Sequence, residues 1–164
     1  MGYNLSIGQA EMEFNKEYSH LSIDVQYISL PEAPAFGEPT DNSNQRWPSY
    51  SVWRSFTKSV GLEDLFFDKE FEGNNGEQCL IREHPGFTVI TDYHKGEIDK
   101  AYADFYKNNP SCKAGYSPLL DDTLGIYEDN EWPECNNQAV RLEWLKFWVD
   151  WSLDNCEIPI FKNT

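Results

Sequence analysis

Hydrophobic and polar positions alternate from the start of the chain. Tyr3, Leu5 and Ile7 keep a period of two, and Ala10, Met12 and Phe14 resume it after a shift of phase near Gly8, which reads as a β-bulge. A second run interleaves Leu21, Ile23, Val25 and Tyr27 with Ser22, Asp24 and Gln26. The turn "NKEYSH" between the runs predicts a β-hairpin. Its polar face is expected to meet water and its apolar face to be covered by helices.

The period then breaks and returns as a helical one. Pro31 to Pro48 holds four of the nine prolines and predicts an extended connection, anchored by Phe36 and Trp47. Ser49 is a good N-cap and Gly61 a good stop, so a helix is expected between them, with Val52, Trp53, Phe56 and Val60 facing inward. Tyr50, Arg54 and Lys58 recur every four residues and form a separate row. Next come an acidic irregular segment, a turn at Asn74 to Gly76, and a short strand around Cys79 to Arg82 that "HPG" should stop. Thr91 opens a second helix to about Asn108, with Ile98, Ala101, Tyr102 and Phe105 as its buried stripe and Asn109-Pro110 as its end. Ser111 to Cys135 reads as a surface connection. A last helix from about Asn137 to Asn155 carries the line Leu142, Leu145, Val149, Leu153 and Cys156, widened by Trp144, Trp148 and Trp151. The expected fold is α+β in one compact domain, residues 1–164: an N-terminal hairpin or small antiparallel sheet packed on about three helices, with long irregular loops.

Composition narrows what such a fold can do. The chain has 28 acidic and 13 basic residues and a net charge of −15, with 40% apolar and 15% aromatic content. That apolar content is too high for a disordered acidic tail, so the charge must coat a folded body. Such a coat repels nucleic acid and anionic membranes. No run approaches the length of a membrane span, and the N-terminus lacks the basic and apolar regions of a signal peptide, so a soluble, unexported protein is expected. Met1-Gly2 with Ser6 opens a myristoylation-like frame, which Tyr3 and the strand pattern argue against. Cys79, Cys112, Cys135 and Cys156 form no C-x-x-C pair, and His20, His84 and His94 lack ligand spacing with them. Reduced thiols, no metal and no cofactor are expected.

Two surfaces qualify as functional. The stretch "PTDNSNQRWPSYSVWRSF" is poor in acid: residues 41 to 60 hold three bases against one acid, whereas residues 120 to 136 hold six acids and no base. Asn42, Asn44, Arg46, Trp47, Tyr50 and Arg54 could together supply amide hydrogen bonds, stacking and charge-assisted contacts to a phosphate. Arg82 and His84 in "REHPG" sit two apart and could join them on an anion. The plainer reading of these bases is a solvated face paired with nearby carboxylates, and of "REHPG" a strand end that ties down loops. The other surface is acidic, with Asp121, Asp122, Glu128, Asp129, Glu131 and Glu134 as its densest part. Asp121 and Asp122 would hold a divalent metal only with further oxygen ligands. Nucleotide-binding, hydrolase, zinc-protease and EF-hand signatures are all missing from the sequence, which favours binding over catalysis.

The segments "MGYNLSIGQA", "APAFGEPTDNSNQRWPSYSVW", "IREHPGF" and "LEWLKFWVDWSLDNCEIPIFKN" resemble a small, uncharacterised protein family of tailed bacteriophages and prophages, over nearly the whole chain. The resemblance implies an accessory phage protein made in the host cytoplasm and carries no catalytic residues. It frames two expectations. One is an inhibitor whose acidic face occupies the basic groove of a host nucleic-acid-binding protein, such as a defence protein. The other is a nucleotide-binding or sequestering protein, or a phosphate-ester hydrolase, with its site around residues 42–54 and 82–84.

Overall fold

In the computed structural model, residues 2–34, 42–67, 78–112 and 134–164 are described. The backbone of Glu134 is included but its side chain is not. The hairpin forms as β1 (Leu5–Asn15) and β2 (His20–Val25), paired antiparallel from Ala10↔Val25 to Asn15↔His20. Asn15 Oδ1 accepts from the backbone N–H groups of Glu17 and Tyr18, and Ser19 takes a positive φ of 49°, which together close the turn.

The C-terminal residues supply a strand that the alternation did not mark. β5 (Pro159–Asn163) pairs antiparallel with β1 on one side and with β4 (Gly86–Val89) on the other, giving the order β2-β1-β5-β4. A two-residue strand, β3 (Gln45–Arg46), pairs with Leu5 and Ser6. The strand expected at Cys79 to Arg82 is irregular chain with one isolated bridge, Phe67↔Ile81. The regular strand starts after "HP", at Gly86, because only there does β5 offer a partner.

No residue is inserted at Gly8. Registry runs without a break from Leu5↔Asn163 to Gln9↔Pro159, so the phase shift in the sequence marks a change of buried face. Leu5, Ile7 and Phe161 point into the main core, whereas Ala10, Val25 and Ile160 form a small second cluster. Gly8 has φ 155°, and a Cβ there would lie 3.1 Å from Asn44 Nδ2. Glycine is favoured there by the positive φ, and the close Asn44 amide leaves little room for a side chain.

Four helices among the described residues cover the Leu5 and Ile7 side. α1 (Tyr50–Ser59) is capped by Ser49, whose hydroxyl accepts from Val52 N, and the chain leaves it through Gly61 at φ 76°. α2 (Glu63–Phe66) is a single turn that buries Leu65 and Phe66. α3 (Asp92–Asn108) buries Ile98, Ala101 and Phe105 as its stripe predicts. α4 (Glu134–Asn155) starts a turn earlier than the sequence suggests. It is buried nearly all round: Asn137, Gln138, Arg141 and Ser152 are enclosed along with Leu142, Trp144, Leu145 and Trp148. Trp53 meets Phe66 and Trp144 edge-on, placing α1, α2 and α4 around one aromatic centre.

α3 and α4 are held together by polar and covalent links, including the Tyr102 and Tyr106 hydroxyls that both donate to Glu143 at 2.8 Å. Lys95, Asp99, Lys146 and Asp150 form a closed ring of alternating charge, with four contacts of 2.7 to 2.9 Å. Hydrogen bonding from Lys146 holds the Asp99 carboxyl below its ordinary range against the opposing effect of burial, and Asp150 and Asp99 raise Lys95. Beyond the ring, Cys112 and Cys135 are bonded, with Cα atoms 5.8 Å apart. The expectation of four reduced thiols is corrected for this pair. Spacing along the chain gave no sign of it, since the two sulfurs are brought together by the antiparallel packing of α3 on α4.

Candidate functional site

The residues of the acid-poor stretch separate into two groups. Asn42 donates to the Ala33 carbonyl and is half-buried. Asn44 is fully buried: its Nδ2 donates to the carbonyls of Ile7 (2.9 Å) and Gln26 (2.8 Å), and its Oδ1 accepts from Ile28 N. It thereby satisfies backbone groups where the β1–β2 ladder gives way to β3. Arg46 is 3% exposed, donates to Gln45 O and Pro34 O, and lies 5.5 Å from the centre of the Trp144 ring. Asn44 and Arg46 are therefore removed from the ligand-facing set. Both serve the core, and their polar groups are spent on the chain itself. Trp47 remains outside, 46% exposed.

Tyr50, Arg54 and His84 form the second group, together with three residues that the sequence did not single out: Tyr3, Phe67 and Asn163. Tyr50 Oη lies 2.7 Å from His84 Nε2, and Asn163 Nδ2 lies 3.0 Å from His84 Nδ1. An amide nitrogen only donates, so Nδ1 accepts and the imidazole proton sits on Nε2, directed at Tyr50. The Tyr50 hydroxyl proton is then free to point at a ligand. Asn163 is itself fixed, since it is fully buried and also donates to Glu83 O at 3.0 Å. The Tyr3 ring packs 4.2 Å from Tyr50 and 5.4 Å from His84, and Arg54 stacks 4.4 Å over Phe67. The result is an aromatic cluster carrying one hydroxyl and one guanidinium, which are a helical turn apart on α1. Tyr3 and Asn163 were invisible beforehand because both reach His84 through pairings with β5 or across the sheet.

Arg82 does not join His84. It lines a separate cavity of about 360 Å³ beside β4, with Gln78, Phe87, Thr88, Val89, Thr91 and His94. His94 is buried there: its Nδ1 accepts from Thr91 N at 3.0 Å and its Nε2 lies 2.6 Å from Gln78 O. Burial pushes its pKa below the ordinary histidine value, outweighing the hydrogen bond to Gln78. Its role is to fix the start of α3 to the chain at Gln78. Among the described residues no three His, Cys, Asp or Glu side chains converge as a metal site.

Asp121, Asp122, Glu128, Asp129 and Glu131, and the Glu134 side chain, lie outside the described residues. Asp24, Asp99 and Asp150 are paired, but each with a lysine, so these contacts remove bases and acids together. With 28 acids against 13 bases, no internal pairing can abolish the excess of negative charge. No helix among the described residues is long and apolar enough to cross a membrane. No protein-family model, curated protein or solved structure matches the chain.

Proposed function

We propose that this chain is a binding protein whose anionic exterior docks on a basic protein surface, with the nucleic-acid-binding groove of a host defence protein as the partner class. The carrying observation is the excess of carboxylates over all available bases, which persists however the side chains pair. In the phage setting suggested by the resemblance, an acidic fold of this size would imitate a phosphate chain. Long-range attraction would speed encounter, and the complex would weaken as salt rises.

The test uses purified nucleic-acid-binding proteins with basic grooves, titrated with this protein at increasing ionic strength. Binding should loosen about ten-fold or more between low and high salt, and nucleic acid should compete for the groove. Binding that ignores salt, or that coexists with nucleic acid in the groove, would overturn the proposal.

A second reading is supported by the Tyr50 hydroxyl, held against His84, and the neighbouring exposed Arg54. In that reading the aromatic cluster holds a small anion such as a nucleotide phosphate. Arg54→Ala and Tyr50→Phe, both at accessible positions, should then abolish nucleotide binding while leaving partner docking unchanged. Arg46→Ala is unsuitable for this purpose because it opens a hole against Trp144.

A further inference from the structure

The outer half of the hairpin lacks a neighbour. β5 accompanies β1 only from Leu5 to Gln9, so Glu11–Asn15 and His20–Asp24 form a two-stranded ribbon. Direct pairing puts Met12 opposite Ile23 and Phe14 opposite Leu21 on one face. Met12, Phe14 and Leu21 are 55%, 58% and 54% exposed, an unusual state for three large apolar side chains side by side. The reverse face carries Glu11 opposite Asp24 and Glu13 opposite Ser22. Lys162 reaches Asp24 at 3.1 Å, but among the described residues no cation pairs with Glu11 or Glu13. β2 ends the sheet, its far edge is unpaired among the described residues, and it contains neither proline nor lysine to block an added strand. A ribbon of two strands is marginal in water, and a third strand is what stabilises it.

We infer that the free edge of β2 accepts an extended segment of a partner protein in which apolar and basic residues alternate. Resting on the docking reading above, this inference names the surface that does the docking. A strand added to β2 presents its side chains alternately to the two faces. One set extends the Met12, Phe14, Leu21 and Ile23 layer. The other falls beside Ser22 and Asp24 of β2, from where a long lysine or arginine side chain can reach across toward Glu11 and Glu13 on β1, and where acidic residues would add to the repulsion. A second copy is disfavoured by charge: its ribbon carries the same Glu11, Glu13 and Asp24 face, on a body that also carries −15.

The probe is a synthetic peptide of about eight residues alternating Val or Ile with Lys, read by fluorescence anisotropy and by amide shifts in the full-length protein. Two control peptides group the apolar residues together or replace Lys by Glu. The alternating basic peptide should bind and shift residues 20–25, and both controls should bind at least about ten-fold more weakly. Phe14→Thr with Leu21→Thr, and separately Glu11→Lys with Glu13→Lys, should each weaken it by about ten-fold while the melting temperature holds, since all four side chains are exposed. Equal binding of the grouped peptide would overturn the inference, as would shifts mapping away from β2. Slow exchange of the outward β2 amides in the free protein would show the edge already covered, and salt-strengthened dimerisation would show a second copy there; either would sink it. If the variants bind salt-sensitively as well as the parent does, only the surface is wrong; if the parent binds no basic probe at all, the docking reading falls too.

Discussion

At the scale of single residues, buried polar groups do more to define this protein than exposed ones. Asn44 and Arg46 look like ligand-binding side chains in sequence because amides and guanidinium groups recognise phosphates. They also satisfy stranded backbone groups, and burial decides between the two roles. His94 gives a test at this scale. Its folded pKa lies below the unfolded value, so at intermediate pH the unfolded chain binds more protons. Stability from this group is therefore complete above the unfolded pKa of about 6.5 and is lost as pH falls through the depressed folded value. Thermal melts of the parent should show this acid-side loss. His94→Gln should flatten it, and NMR titration of the ring should find His94 still mostly neutral at about pH 6.5, where an unperturbed imidazole is half-charged.

At the scale of elements, the three longer helices were readable, whereas the single turn of α2 and most of the sheet were not. α1 and α3 announce themselves through local features: a capping Ser49 or Thr91, stripes such as Ile98, Ala101 and Phe105, and stops at Gly61 and Asn109. β5 is five residues long, starts with proline, and exists because β1 lies beside it, nearly the whole chain length away. No local pattern encodes such a partner, which also explains why β4 was placed too early and why Tyr3 and Asn163 were absent from the site around His84. The burial of the first turns of α4 was likewise hidden, since its polar Asn137, Gln138 and Arg141 sit where the pattern suggests solvent. The Lys95–Asp99–Lys146–Asp150 ring makes the α3–α4 pairing testable. Lys146→Ala should lower stability by about 1 kcal/mol, and a double-mutant cycle with Asp99→Ala should show coupling that shrinks in high salt.

At the scale of the whole molecule, charge and covalent connectivity set the behaviour. The bond between Cys112 and Cys135 closes the chain between α3 and α4, and a loop of that length contributes about 3 kcal/mol by restricting the unfolded ensemble. Denaturant titration with and without reductant should recover a loss of that order, and Cys112→Ser should reproduce it without reductant. Replacing Cys156, which forms no disulfide, by serine should leave the effect of reductant unchanged.

The same bond also changes what a single cut would do. A protease acting anywhere between residues 113 and 134 would break the polypeptide without releasing either piece, because sulfur holds the amino-terminal fragment to the carboxyl-terminal one. β5 would then remain in place between β1 and β4 although it belongs to a different fragment from both.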